Sequence, residues 1–110
     1  MSDVVVTVPK WFWSDWIAEG DAAGDPPTGE EWIFYLHGLP NIKPGERVYI
    51  VAHGKLRGYS PLVRLDARGL IRGAGAVAVT IDEPIKGFQG FRYRWWDRAL
   101  EKPFPGWKTP

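Results

Sequence analysis

The amino-acid sequence predicts one α+β domain, a small, mainly antiparallel pseudo-barrel of five to six strands with one or two helices. The chain of 110 residues is long enough for a single hydrophobic core and no more. Its β-rich segments are short, only one segment is clearly helical, and strands and helices do not alternate as in a parallel Rossmann-type sheet. We therefore expect residues 1–110 to form a single domain.

The composition is that of an ordinary globular protein. Hydrophobic residues make up 45% of the chain and charged residues 25%, which is neither a disordered nor a collagen-like balance. The sequence contains no cysteine, and this excludes disulfide scaffolds, thiolate metal sites and cysteine nucleophiles. No apolar run is long enough to span a bilayer, and the amino terminus lacks the pattern of a signal peptide. We expect a cytoplasmic protein with no membrane partner.

A strand and a helix are predicted first. Residues Asp3–Val8 (DVVVTV) are short and β-branched, as in a buried strand, and Pro9 ends this run. Because proline is tolerated in a first helical turn, we expect a helix from near Pro9 to Gly20. Helical spacing places four apolar residues in one stripe that faces the core. These residues are Phe12, Trp13, Trp16 and Ile17.

Trp11 does not belong to this stripe. At helical spacing it points almost to the opposite side, so a role in the core does not explain it. If the helix instead begins one turn later, Trp11 and Trp13 share a face of an extended lead-in. Both residues are then candidates for a binding surface.

A loop, a strand and a turn follow. Residues 21–30 have the composition of a loop, and Glu31–His37 (EWIFYLH) is apolar at both parities, as in a strand enclosed on two sides. Residues 43–46 (KPGE) favour a turn with proline at its second position.

The strongest hairpin signal lies in the middle of the chain. Arg47–His53 and Leu56–Asp66 read as two strands joined by a tight turn around Gly54. Within the second strand, Arg57 and Tyr59 share a parity and lie on one face.

The last strands are predicted at Ala76–Ile81, an inner strand, and at Phe91–Trp96 (FRYRWW). In the second of these, alternation places Phe91, Tyr93 and Trp95 on one face and Arg92, Arg94 and Trp96 on the other. The tail, residues 101–110, contains three prolines and is expected to lie irregularly over the body, held by Phe104 and Trp107.

Charge is divided unevenly along the chain. Residues 1–46 hold eight acids and two bases, and residues 47–110 hold twelve bases and five acids. All eight arginines lie between Arg47 and Arg98. A local positive field suits an anionic partner, although the acidic half can instead fold against the basic half and pair with it.

Aromatic and arginine side chains form the most distinctive pattern. Guanidiniums bind phosphate or base edges, and an indole face stacks on a base, so the face of Arg92, Arg94 and Trp96 predicts a nucleic-acid or nucleotide site. Arg57 with Tyr59 repeats the pairing. The alternative is a solvated strand face whose arginines pair with acidic residues, either Asp97 or those of the acidic half.

The sequence lacks the P-loop, nucleophile-elbow and zincin motifs, which removes three common enzyme classes. His37 and His53 each close a predicted strand, but two scattered histidines are more often ordinary strand-end residues than metal ligands. Proton transfer by His53 with a neighbouring group is conceivable, although no spacing selects it. The candidate neighbours are Tyr49, Lys55 and Asp97. We expect no metal and no cofactor.

Residues Ile42–Leu65 carry a family resemblance. A KPGER turn, the apolar strand VYIVAH, a short turn and the return strand LRGYSPLVRL resemble a segment of PUA-like domains, notably the ASCH and EVE branches. The opening strand and Trp-rich helix are also similar to that architecture. The resemblance implies a pseudo-barrel with a cleft that recognises RNA or a modified base. The ASCH signature near the amino terminus, Gly-x-Lys followed by Glu and Arg, is not evident, so no catalytic residue is transferred.

Together, these observations predict a module that binds RNA, DNA or a nucleotide by holding a base in a cleft lined by aromatic and arginine side chains. The residues expected to form it are Trp11, Trp13, His53, Arg57, Tyr59, Arg92, Arg94 and Trp96. Two other classes remain open: a small ASCH-type hydrolase or ribonuclease, and a non-enzymatic protein-interaction domain.

Overall fold

A computed structural model describes residues 3–18, 32–35, 40–66, 69–72 and 76–108. A six-stranded sheet has the order β2-β5-β4-β3-β1-β7, and a two-stranded sheet pairs β6 with β8. The strands are β1 (Val4–Thr7), β2 (Trp32–Tyr35), β3 (Arg47–Ala52), β4 (Lys55–Asp66), β5 (Gly69–Arg72), β6 (Val79–Thr80), β7 (Phe91–Tyr93) and β8 (Lys102–Pro103).

The large sheet is mixed rather than purely antiparallel. β1 and β3 run parallel, with Val4 opposite Val48, whereas the other neighbours in the sheet are antiparallel. A parallel pair needs a crossover connection, and the chain makes one here through the helix and β2. The α+β class and the mainly antiparallel pairing predicted from the sequence are confirmed.

The predicted closure into a pseudo-barrel is wrong. Within the described residues, β2 pairs only with β5 and β7 pairs only with β1, so the sheet stays open at both edges. Segments of the chain cover both faces of the sheet instead. Layered packing therefore buries the apolar side chains without the strand pairing that a closed barrel requires.

Alternation along β1 and β3 sends apolar side chains to two cores. On the first side, which we call the helix face, Val4, Val6 and Ile50 pack with Trp13 and Trp107. The second side, which we call the loop face, has its own cluster of buried residues from β1, β3, the start of β4 and the segment 81–96. This cluster comprises Val5, Tyr49, Val51, Leu56, Ile81, Ile85 and Trp96.

The helical segment predicted from near Pro9 to Gly20 is described as far as Ala18. A 3-10 turn covers Lys10–Phe12 and the helix α1 covers Trp13–Ala18. The expected core stripe is confirmed at Trp13, which is buried, and at Phe12 and Ile17, which pack against the same core. The side chain of Trp16 lies outside the described residues. Trp11 is 79% exposed, as its angle on the helix predicted.

The predicted hairpin between β3 and β4 is confirmed. His53 has a φ of 48° and Gly54 a φ of 74°, and two successive positive φ values are what a type I′ turn requires. The KPGE turn is also confirmed, because the Glu46 amide donates to the Lys43 carbonyl at 3.0 Å and Gly45 has a φ of 88°.

The carboxyl-terminal half differs more from expectation. The predicted strand 91–96 ends at Tyr93, and the predicted strand 76–81 is reduced to β6 and a single bridge from Val77 to Tyr59. The strands β5 and β8 and the 3-10 turn Arg98–Leu100 were not expected from the sequence. The tail packs through Trp107 and Phe104 as expected. In the described ranges, no helix has the length and apolar character to cross a bilayer.

Candidate functional site

Charged side chains gather where β1 and β3 begin. Because these strands are parallel, the residues that precede them lie side by side at one end of the sheet. Three arginines meet two carboxylates there, and we call this group the arginine cluster. Its members are Asp3, Arg47, Arg94, Arg98 and Glu101.

Asp3 is the first anchor of the cluster. Its Oδ1 accepts from the Arg47 amide at 2.9 Å, and its Oδ2 accepts from Arg94 Nε at 3.0 Å. Arg98 donates to the same Oδ2 through Nε at 3.2 Å and Nη2 at 2.7 Å. Burial acts to raise the pKa of Asp3, but the Arg47 amide and the two guanidiniums outweigh it and hold the pKa below its usual value. Asp3 is therefore ionised at neutral pH.

Glu101 is the second anchor. It accepts from Arg47 Nη1 at 3.1 Å, from the Tyr49 hydroxyl at 2.6 Å and from Trp96 Nε1 at 2.9 Å. Burial and then the hydrogen bond to Glu101 raise the pKa of Tyr49, so its phenol stays protonated and donates.

The guanidiniums lie outside the carboxylates. The side chains of Asp3 and Glu101 are 1% and 6% exposed, whereas those of Arg47, Arg94 and Arg98 are 26%, 23% and 36% exposed. Three partly exposed guanidiniums therefore lie outside two buried carboxylates.

Their contacts also hold these guanidiniums in place. Arg47 lies over the Tyr59 ring, with its Cζ 4.1 Å from the ring centroid, and Arg94 Nη1 donates to the Trp96 carbonyl. An anion that binds here meets side chains whose conformational freedom is already restricted.

An exposed indole lies next to the cluster, and it belongs to Trp95. Trp95 is 45% exposed, and its ring meets that of Trp96 edge-on, with 5.0 Å between centroids. Its Nε1 donates to Glu83 at 3.3 Å, which fixes one edge of the ring. The partly exposed indole in this segment is therefore that of Trp95, which directly follows Arg94 in the chain, and not that of Trp96.

Three expected site residues, Trp13, Arg57 and Trp96, are buried and are not exposed at a binding surface. Trp96 points inward because its indole N–H has the Glu101 carboxylate as acceptor. Arg57 is fully buried, and its Nε and Nη1 donate to the carbonyls of Ala52 and Trp107 at 3.0 and 3.1 Å. Burial lowers the pKa of Arg57.

Arg94 and Arg92 behave differently from each other. Arg94 pairs with Asp3, as the alternative of an acidic half folded against a basic half predicts. Arg92 is exposed, and its Cζ lies 4.8 Å from the centroid of the Phe88 ring.

The predicted site residues do not line one cleft. Trp13 packs on the helix face, where its ring lies 6.2 Å from that of His53 and 5.3 Å from Arg57 Cζ. Trp11 is exposed and lies two residues before Trp13 in the chain. Tyr59 and Trp96 belong to the loop face, and so do the Arg92 and Phe88 pair. The sheet thus separates the expected residues into two groups.

The candidates for proton transfer are not assembled either. Tyr49 lies within β3 and His53 lies in the turn after it, so about 13 Å of backbone separates them at roughly 3.3 Å per residue. Asp97 caps the following 3-10 turn by accepting from the Ala99 amide at 2.9 Å, and Lys55 begins β4. His37 lies outside the described residues, and among those described no three His, Cys, Asp or Glu side chains group around a metal position.

Sequence reasoning missed four members of the cluster, namely Asp3, Arg47, Arg98 and Glu101. One signal was available for two of them, because Asp3 and Arg47 each stand directly before an apolar strand. Two opposite charges at the starts of two strands become neighbours when those strands are parallel and in register. No pattern in the sequence indicates that β1 and β3 pair.

Comparison of the chain with protein-family models, with curated proteins and with solved structures gave no match. The resemblance of residues 42–65 to PUA-like domains therefore stays a prediction from the sequence.

Proposed function

We propose that the protein binds a nucleotide or a nucleic-acid strand, with a phosphate at the arginine cluster and a base against Trp95. The observation that carries this proposal is the layering of the cluster, in which two buried carboxylates hold three partly exposed guanidiniums. The proposal is one of binding and includes no catalytic step.

A phosphate suits this arrangement for two reasons. Guanidinium forks match the oxygens of phosphate, and charge-assisted hydrogen bonds of this kind are stronger than neutral ones. The donors of Arg98 that do not contact Asp3 lie on a side chain that is 36% exposed, so they can reach a ligand without breaking the existing pair.

Trp95 supplies a surface for a base. An indole that is partly exposed and braced at its edge by Trp96 and Glu83 offers a ring face with little motion to lose. The resemblance to PUA-like domains supports the same ligand class, since it implies recognition of a base.

The test measures affinity for labelled single-stranded RNA and DNA by fluorescence polarisation at several salt concentrations. We expect Arg98→Ala to weaken binding about tenfold and Trp95→Ala by about five- to a hundredfold, the latter from about 1 to 3 kcal/mol of stacking. Lys108→Ala removes an exposed cation beside Trp107, on the helix face, and should leave affinity unchanged.

Arg98→Lys keeps the positive charge but loses the paired N–H donors of the guanidinium. This variant replaces Arg98→Ala in the test if Arg98→Ala fails to fold. Equal affinity of wild type, Trp95→Ala and a folded Arg98 variant for every oligonucleotide would overturn the proposal. Binding of a protein that persists at high salt would instead identify an interaction domain.

A further inference from the structure

A cleft lies beside the arginine cluster. It has a volume of 360 Å³ and is bounded by the start of β4, by β6 with the loop that follows it, and by β8. Its walls combine two lysines with a hydroxyl, two carboxylates and a ring. These groups belong to Lys55, Thr80, Asp82, Glu83, Lys102 and Phe104.

The cleft and the cluster are joined by two direct links. Glu101, which anchors the cluster, is followed immediately by Lys102, which lines the cleft. Glu83 lines the cleft and accepts from the indole N–H of Trp95 at 3.3 Å. Trp95 therefore contacts one wall of the cleft through Glu83, and it directly follows Arg94 of the cluster in the chain.

The lysines of the cleft are open to an anion. Within the described part of the chain, the side chain of Lys55 makes no hydrogen bond or ion pair, and it is exposed. Lys102 pairs with Asp82, but both side chains are largely exposed, and such surface pairs contribute little to stability. A phosphate can therefore compete with Asp82 for Lys102.

From this placement we infer that Lys55 and Lys102 form a second phosphate-binding subsite for the ligand held by the arginine cluster. The ligand class is then an oligonucleotide strand with at least two phosphates and not a mononucleotide, because Lys55 lies opposite Ala52, at the far end of β3 from Arg47. The inference rests on the proposed function. It also predicts that Asp82 weakens binding, because its carboxylate repels the second phosphate.

The experiment compares a labelled single strand of about eight nucleotides with a mononucleotide. The double variant Lys55→Ala with Lys102→Ala should weaken binding of the strand about tenfold and leave the mononucleotide unaffected. For single strands, the slope of log affinity against log salt should become shallower by about 0.7 for each phosphate that the variant no longer neutralises. Asp82→Asn should tighten binding of the strand about two- to fivefold, because it removes a repulsive charge and frees Lys102.

The outcomes separate this inference from the proposed function. If Arg98→Ala weakens binding of the strand while the lysine variant and Asp82→Asn do not change it, the second subsite is wrong and the first stands. If the lysine variant weakens the mononucleotide as much as the strand, there is only one phosphate position and the inference is overturned. If wild type binds neither ligand, both proposals fail.

Discussion

Glu101 shows how one buried carboxylate determines the state of its neighbours. Its two oxygens take three donors, from Arg47, Tyr49 and Trp96. The raised pKa of Tyr49 means that this phenol still donates at neutral pH, so the carboxylate keeps its full set of donors. The indole nitrogen is the only polar atom in the Trp96 side chain, and it donates to Glu101. This hydrogen bond allows the indole to be buried.

The Tyr49 hydroxyl should therefore contribute measurably to stability. Tyr49→Phe removes a buried donor from an ionised acceptor, and we expect the free energy of unfolding to fall by about 1.5 to 3 kcal/mol. Tyr93→Phe is the matched control, because the Tyr93 hydroxyl accepts from the Asn41 amide at an exposed position and its loss should cost less than about 0.5 kcal/mol. Urea titrations of both variants give the comparison. Equal losses would show that burial and the charged acceptor do not matter.

The two-residue periodicity of a strand predicted the exposure of some of these side chains and not of others. Alternation of burial is already lost in β7, where Arg92 and Tyr93 are both exposed, and it fails again at Trp96 because the strand has ended at Tyr93. What then decides the orientation of Trp96 is an acceptor five residues further along, on a turn that has no repeating pattern. The prediction that Arg57 and Tyr59 lie on one face is wrong, because the register shifts between Ile50 and Val51 and breaks the parity. Arg57 lies against Trp13 on the helix face, and Tyr59 packs on the loop face.

Elements formed by local interactions were the ones that the sequence predicted well. The β3–β4 hairpin depends on two adjacent apolar runs and on a glycine at a position of positive φ, and all three are visible in the sequence. By contrast, β8 is a strand because the distant β6 pairs with it, and β5 pairs with the distant β2 as well as with the adjacent β4. The parallel pairing of β1 and β3, which assembles the arginine cluster, is equally non-local.

The hairpin turn should be sensitive to backbone conformation at Gly54. A Cβ placed on Gly54 meets nothing within 4 Å, so any loss must come from the φ of 74° and not from a clash. We expect Gly54→Ala to lower the free energy of unfolding by about 1 to 2 kcal/mol. Gly54→Asn should lose less, because asparagine tolerates the left-handed region. Thermal or urea unfolding distinguishes them, and equal losses for the two substitutions would contradict a conformational cause.

Across the whole molecule, the division of charge along the sequence has a structural counterpart. Asp3 belongs to the acidic half and pairs with Arg94 and Arg98 of the basic half, across 91 and 95 positions of sequence. These contacts fasten the start of β1 to the segment after β7. The remaining positive charge is then displayed at one end of the sheet, where the proposed ligand would bind.

This link predicts how stability depends on pH. The native pKa of Asp3 lies below its ordinary value of 3.8, so the native state binds this proton less readily than the unfolded state does. The stability that Asp3 confers is therefore complete above about pH 4 and is lost as the pH falls through the lower native pKa. We expect wild type to be more stable than Asp3→Asn at pH 7, and the difference to shrink steadily below pH 4. Urea titrations between pH 7 and about pH 2.5 measure this difference in the free energy of unfolding. Asp82→Asn is the control, and we expect it to have a small effect because Asp82 belongs to an exposed ion pair. A difference between wild type and Asp3→Asn that stays constant over this range would mean that the arginines do not hold the Asp3 carboxylate in its ionised form.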